Sequence, residues 1–198
     1  TYANAPRSSE CTACSSGRFQ AEEGQAGCVE CPGGHHCPAR SMPASTPCPK
    51  GSRQPAVGQA LCISCNGGDY QDEEGQTTCI QCSPGSFCTA GSPKETICPT
   101  GTYCEAGSAL PTSLGSGFYA VDVNGNRVDE GGVRQQECEG GFYCSGGDRT
   151  ECETGYFCPP GSSEPSQCPA ASFCPEPSQR IECQPGSYCP TGSTVESN

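Results

Sequence analysis

Four C-x-x-C pairs, Cys11/Cys14, Cys28/Cys31, Cys62/Cys65 and Cys79/Cys82, have spacings that bind zinc when two pairs converge, or that run redox chemistry when one pair follows a βαβ unit. Adjacent imidazoles at His35 and His36 lie between Cys31 and Cys37, paired carboxylates at Glu22-Glu23 and Glu73-Glu74 could move protons, and Asp122, Asn124, Asn126 and Glu130 resemble the start of a calcium loop. Each reading meets an obstacle. Zinc thiolates need a reducing compartment, which the other cysteines contradict, and no βαβ pattern surrounds any pair. Arg127 stands where a calcium loop requires glycine, and Val133 where it requires a bidentate glutamate. The only histidines are neighbours, and no serine or cysteine is poised beside them as a nucleophile. The expectation is therefore no catalytic residue, no metal and no cofactor, with His36 as a packing ring and the acidic pairs as solvated turns.

Composition explains why cysteine dominates. The chain has 21 cysteines in 198 residues, 27 glycines, 19 prolines, one methionine and no tryptophan. A globular domain of this size would bury roughly two-thirds of its unfolded surface, and there are no aliphatic runs to do so. Disulfides must take over, which places the chain outside the cell or on its surface. A net charge of −12 with ten scattered basic residues excludes nucleic acid and anionic lipid as partners. No stretch approaches the roughly 18 apolar residues of a membrane span, so direct membrane insertion is not expected. The start at Thr1, without methionine or an apolar leader, suggests a processed chain or a segment.

Two repeats overlap. Residues 10–37 align without gaps on residues 61–88, a shift of 51, carrying Cys11, Cys14, Cys28, Cys31 and Cys37 onto Cys62, Cys65, Cys79, Cys82 and Cys88. The second repeat is a seven-residue phrase, C-x-x-[G/A]-x-aromatic-C, at 82–88, 98–104, 138–144, 152–158, 168–174 and 183–189. Its glycine suits a chain reversal with positive φ. Its ring (Phe87, Tyr103, Tyr143, Phe157, Phe173, Tyr188) is expected to lie against a disulfide or a neighbouring backbone, forming a miniature core that is completed by module stacking.

The pattern C-x-x-C-x-x-G-x-[FY]-Q-x-E-E-G-Q-x-x-C-x-x-C at 11–31 and 62–82 resembles the ephrin-receptor-like cysteine-rich repeat, related in style to tumour necrosis factor receptor modules. The resemblance implies rod-like extracellular tandem modules with first-to-third and second-to-fourth pairing: Cys11-Cys28, Cys14-Cys31, Cys62-Cys79 and Cys65-Cys82. With those in place, Cys37-Cys48, Cys88-Cys98, Cys104-Cys138, Cys144-Cys152, Cys158-Cys168 and Cys174-Cys183 follow. Cys189 is left unpaired or intermolecular, as though the chain continued. A rival scheme closes each five-residue loop within its own phrase, Cys98 with Cys104 through Cys183 with Cys189, and leaves seven cysteines over in the first 79 residues. Sequence alone leaves both open.

The expected organisation is a lead at 1–10, cysteine-rich repeats at 11–61 and 62–104, a hairpin-containing insertion at 105–137, and tandem short repeats at 138–198. In the insertion, Tyr119, Val121 and Val123 alternate into Asn124-Gly125 and return through Val128, the pattern of a β-hairpin. The fold class expected is small disulfide-rich tandem modules in an elongated rod with short hairpins, little helix and no large core. Such a rod suits an extracellular structural protein: a stalk, fibril or mastigoneme-like filament that self-associates or contacts neighbouring repeats of a longer chain. Ser/Thr/Pro-rich stretches at 41–47, 107–113 and 190–194 would accept O-linked glycans. The alternative is a receptor or adhesin ectodomain that binds a protein ligand. The rod makes a measurable prediction: small-angle scattering should return a radius of gyration well above the ~16 Å of a compact 198-residue globule.

Overall fold

A computed structural model describes residues 2–3, 11–25 and 27–197; the side chain of Cys11, and with it any pairing it makes, lies outside the described residues, as does most of the 1–10 lead. Among the described residues there is no helix, and 22 short strands form 11 two-stranded antiparallel ribbons. Contacts divide the chain into two compact units. The first comprises residues 1–83, 87–96 and 106–110; the second comprises 84–86, 97–105 and 111–198.

Every ribbon after the first, which pairs Tyr2–Ala3 with Cys11–Thr12, begins within a copy of the seven-residue phrase. The amide of its fifth residue donates to the carbonyl of its second, as from His35 to Pro32 and from Thr102 to Pro99, at 3.1 and 3.2 Å. The fourth residue thus takes the third position of a four-residue turn, where positive φ is needed. Gly34 and Gly101 have φ of 79° and 76°, and where glycine is missing Ala171 still adopts 62°. The backbone requirement holds even where a side chain makes it costly. The chain then returns so that the ring position faces the second residue before the next phrase, as in Phe19 opposite Val29 and Tyr70 opposite Ile80.

In the first unit, backbone hydrogen bonds tie each module to the next. The fourth residue of a phrase donates to the seventh of the following one (Gly34 to Gln54, 2.7 Å; Gly51 to Gln71, 2.7 Å) and accepts from its first (Cys48 to Gly34, 2.8 Å; Cys65 to Gly51, 2.9 Å). A further module packs onto the same glycine: a Cβ on Gly34 would collide with the carbonyl of Gly75, and one on Gly17 with that of Gly58. Glycine is needed here both for its backbone conformation and for the space it leaves.

The pairing of cysteines corrects every bond of the forward scheme. Seven bonds close a phrase on itself: Cys31–Cys37, Cys82–Cys88, Cys98–Cys104, Cys138–Cys144, Cys152–Cys158, Cys168–Cys174 and Cys183–Cys189. The other three, Cys14–Cys28, Cys48–Cys62 and Cys65–Cys79, join residues 14 apart. Cys11 therefore does not hold Cys28, Cys14 does not hold Cys31, Cys62 does not hold Cys79 and Cys65 does not hold Cys82. Likewise the steps 37 to 48, 88 to 98, 104 to 138, 144 to 152, 158 to 168 and 174 to 183 are unbridged, and Cys189 is neither free nor intermolecular. The reason is geometric. The turn brings the first and seventh residues to Cα separations of 5.9–6.6 Å, close to the usual disulfide distance. Backbone hydrogen bonds already supply the step between modules, which the forward bonds would have spanned.

The three longer bonds occur where the seventh residue of the phrase is glutamine: Gln20, Gln54 and Gln71 in CSSGRFQ, CPKGSRQ and CNGGDYQ. Its side chain does what the second cysteine does elsewhere. Gln54 Nε2 donates to the Leu61 carbonyl at 2.6 Å and its Oε1 accepts from the Ala56 amide at 3.1 Å; Gln71 repeats both contacts with Thr78 (2.8 Å) and Glu73 (3.0 Å). Gln20 does the same with Gly27 and with Glu22. Both Gln54 and Gln71 are buried, so their satisfied amides fit the rule that interior polar groups keep partners.

In the second unit the phrases at 138–144 and 168–174 keep both bonds, with Cys152 donating to Gly141 (3.0 Å), Gly141 to Cys158 (2.8 Å), Cys183 to Ala171 (3.0 Å) and Ala171 to Cys189 (2.8 Å). Residues 105–137 also contain a copy of the phrase, LGSGFYA at 114–120, with leucine and alanine where cysteines stand elsewhere. Its bonding is that of the others: Leu114 donates to Gly101 at 3.0 Å and Cys138 to Gly117 at 2.8 Å. Apolar packing takes the place of the missing disulfide. Phe118–Val121 pairs with Arg134–Glu137, and Tyr119, Val121, Cys138 and Cys144 form a buried cluster with Phe142 packed on it. The expected hairpin is thereby corrected. Asn124-Gly125 does turn, with Val121 bridged to Arg127, but the main return strand is 134–137 rather than Val128. Alternation also fails, because Tyr119, Ala120 and Val121 are all buried while Val123 is 66% exposed. The segment after the turn covers the outer face by donating from Val128 to Ala120 (3.1 Å) and from Val133 to Val121 (2.8 Å).

The phrase rings are half-buried, apart from buried Tyr119 and exposed Tyr188; cysteines make up most of the fully buried side chains. Sulfur, more than the rings, forms the interior. Two substitutions should move stability in opposite directions. Gly34→Ala should cost at least about 1–2 kcal/mol from the left-handed backbone alone, with a steric cost added, whereas Ala171→Gly should remove a strain of similar origin and gain a few tenths. Hydrogen exchange at the Cys48 and Cys183 amides, which bond to those two carbonyls, reads each effect locally.

Candidate functional site

The seven C-x-x-C cysteines with described side chains, 14, 28, 31, 62, 65, 79 and 82, are all in disulfides and offer no thiolate. One group of potential ligands does converge in the first unit: His36, Cys48 and Cys62, whose ligand atoms all lie within 4.8 Å of one another. Its two sulfurs are bonded to each other. His36 Nδ1 is 3.1 Å from the Thr46 carbonyl oxygen and 3.2 Å from Cys62 Sγ. The ring expected to lie against a disulfide therefore does so, with an imidazole where most other phrases carry phenyl or phenol and the phrase at 48–54 carries Arg53. Its neighbour His35 is turned to Ser45, with Nδ1 3.1 Å from Oγ.

The acidic turns serve loop closure. Gln25 Nε2 donates to Glu22 at 2.9 Å and Gln76 Nε2 to Glu73 at 2.8 Å, each inside the loop that the preceding glutamine clamps. Between them in sequence, the third such loop reads QPAVGQALCI at 54–63 and replaces the acids with apolar residues. Val57, Leu61 and Ile63 are 57%, 71% and 47% exposed, on and beside an open depression of about 600 Å³ that Pro55, Ala56 and Ala60 also line. This loop is not legible from the alignment of residues 10–37 with 61–88, which leaves 54–60 outside it. The signal available was its shared Q-x-x-x-G-Q frame.

In the second unit the calcium-like residues hold their own turn. Asp122 Oδ1 accepts from the Asn124 and Asn126 amides, both at 2.8 Å, and Oδ2 from Asn126 Nδ2 at 3.1 Å. The side-chain and backbone donors of Asn126, with help from Asn124, hold the Asp122 carboxyl below its usual range. The carboxylate of Glu139 is the more structured polar site. It accepts from the Tyr119 hydroxyl at 2.8 Å and from Arg149 Nε at 2.9 Å, while the Arg149 guanidinium lies 3.4 Å over the Phe142 ring. Burial alone would raise the Glu139 carboxyl, but the Tyr119 hydroxyl, a backbone amide and Arg149 outweigh it and lower it. Burial, followed by the bond to Glu139, raises the Tyr119 phenol. Chemically this is an anchor tying two ribbons together. Neither the glutamate nor the tyrosine pairs with a nucleophile. A shallow depression of about 250 Å³ lies nearby, between Tyr143 and Tyr156 and edged by Thr150, Glu151, Glu153 and Pro165.

Residues 1–41 and 55–93 match the family model described as tyrosine-protein kinase ephrin type A/B receptor-like. Those stretches are similar to ephrin-receptor-like cysteine-rich repeats, a family of ectodomain modules, and the density of disulfides agrees with an extracellular domain. No curated protein matches the chain. Among the described residues no helix is long and apolar enough to cross a membrane.

The lowered Glu139 carboxyl gives the second unit a pH dependence of definite sign. A carboxyl whose folded value lies below the ordinary 4.5 contributes stability that is present above that value and lost as pH falls through the folded one. Tyrosine near-UV circular dichroism should therefore lose amplitude on acidification below about pH 4.5, and Glu139→Gln should flatten that limb while leaving the neutral spectrum close to native.

Proposed function

We propose that the chain is part of an extracellular structural protein, a stalk, fibril or mastigoneme-like filament, whose modules iterate to make length and whose disulfides keep each module in shape. The observation that carries this reading is the bonding of every phrase in the first unit. Each closes on itself by a disulfide or a glutamine-clamped loop, and meets the next through backbone groups that any copy of the phrase presents. Such a scheme has no built-in stopping point, and it uses its chemically distinctive residues as ties. Self-association, or contact with neighbouring repeats of a longer chain, is the partner this reading calls for. Exposed Thr46 beside Pro47 and exposed Thr112 beside Pro111 would be its acceptors for O-linked glycans.

A second reading, a receptor or adhesin ectodomain that captures a protein ligand, draws on the apolar loop at 54–63, where two sister loops carry glutamates. Negative-stain electron microscopy of purified protein separates the two. Polymers, or regular end-to-end assemblies that persist at physiological salt, support the structural reading. Monodisperse particles at all concentrations, with Val57→Asp and Leu61→Asp abolishing capture of a defined partner, would replace it with the second.

A further inference from the structure

The imidazole on the Cys48–Cys62 bond sets that disulfide apart from the other nine among the described residues. The Thr46 carbonyl oxygen can only accept, so at 3.1 Å it fixes a hydrogen on His36 Nδ1, and the same N–H faces Cys62 Sγ at 3.2 Å. Among the described residues no other disulfide sulfur has a ring nitrogen within hydrogen-bonding reach. Cys48 is fully buried, whereas Cys62 is only half-buried, so an external thiolate reaches the bond from the Cys62 side. We propose that Cys48–Cys62 is a thiol-exchange site, the disulfide in this chain that a small thiol or a dithiol oxidoreductase opens first.

The chemistry balances with two thiolates as reductant. The first attacks Cys62 Sγ, forming a mixed disulfide there and releasing Cys48 as thiolate, with His36 Nδ1 within 4.8 Å of that sulfur. The second attacks the outer sulfur of the mixed disulfide and leaves as the oxidised disulfide, releasing Cys62 as thiolate. Two electrons pass to the protein. The released Cys62 thiolate then accepts the Nδ1–H bond that its neutral disulfide sulfur holds only weakly, and stabilising the reduced form in this way shifts a dithiol–disulfide equilibrium toward reduction. The module has grounds to survive the event. Gln54 still bridges Ala56 and Leu61, and the backbone bonds from Cys48 to Gly34 and from Gly75 to Cys48 do not involve sulfur. The loop carrying Val57 and Leu61 also keeps the backbone bonds from Gly58 to Cys31 (2.7 Å) and from Cys37 to Gln59 (3.0 Å), so exchange would loosen only its Cys62 end, beside exposed Ile63, without unfolding the repeat.

The test is a glutathione redox titration of the intact native protein, quenched by alkylation and mapped by peptide mass spectrometry. Cys48 and Cys62 should be alkylated together at a glutathione ratio at which Cys65–Cys79, a bond of the same sequence separation, stays closed. His36→Phe, which installs the ring that Phe87 supplies in its own phrase, should move the Cys48–Cys62 midpoint at least about threefold toward the oxidised side and leave Cys65–Cys79 unmoved. His36→Gln, which keeps an N–H donor, should fall between the two. Opening of Cys65–Cys79 first in the unsubstituted protein overturns the proposal, a result that does not depend on either variant folding. So does a Cys48–Cys62 midpoint that His36→Phe leaves unchanged.

Discussion

Reversing a chain inside seven residues, and then pressing another part of the same chain against the outside of that reversal, restricts what can stand at its fourth position. The backbone there must be left-handed, which disfavours any residue with a Cβ, and at Gly34 the next-but-one module lies where a Cβ would be. The glycine carbonyl and amide are meanwhile spent on the following phrase. Local turn, neighbour contact and the reach of the two ends for each other thus all pass through one residue. Ala171 marks the limit of tolerance: it keeps both the angle and the hydrogen bonds, at a site that accepts a methyl group.

Seen from that residue, the disulfide is one of several ways to finish the module. Cys31 and Cys37 close the turn covalently; Gln54 closes a longer loop by bridging an amide and a carbonyl, and leaves Cys48 free to reach Cys62; Leu114 and Ala120 use neither device and rely on Tyr119 and Val121. Glutamine works because it carries both a donor and an acceptor at the length needed to span the loop neck, which leaves no buried polar atom unsatisfied among the described side chains. In the aromatic variant, four-residue strands replace two-residue ones, and Glu139 and Arg149 add an electrostatic tie across the ribbons.

The turn chemistry, the repeated phrase, the lack of helix and the extracellular character were legible because they rest on residue type at fixed spacing. Connectivity was not. Cysteine spacing says nothing of which sulfur faces which, and aligning from Cys11 imposed a register in which Gln20, Gln54 and Gln71 were invisible as phrase endings. Had they been read as the seventh residue, the seven leftover cysteines of the rival scheme would have sorted into three equal loops with Cys11 outside them. The copy at 114–120 was hidden for a related reason: a search keyed to cysteine cannot find a module that has none. The hairpin at Asn124-Gly125 shows the opposite failure, where a strong local turn is present but tertiary covering of Val121 chooses another strand as its partner.

Every bond described joins cysteines six or fourteen positions apart. While such a chain is being synthesised and threaded into an oxidising compartment, the correct mate of each thiol arrives within a turn or two of growth, before more distant competitors exist. Oxidation can therefore keep pace with emergence, and an array crowded with sulfur escapes much of the combinatorial search that the same number of cysteines would impose on a fold with distant pairings.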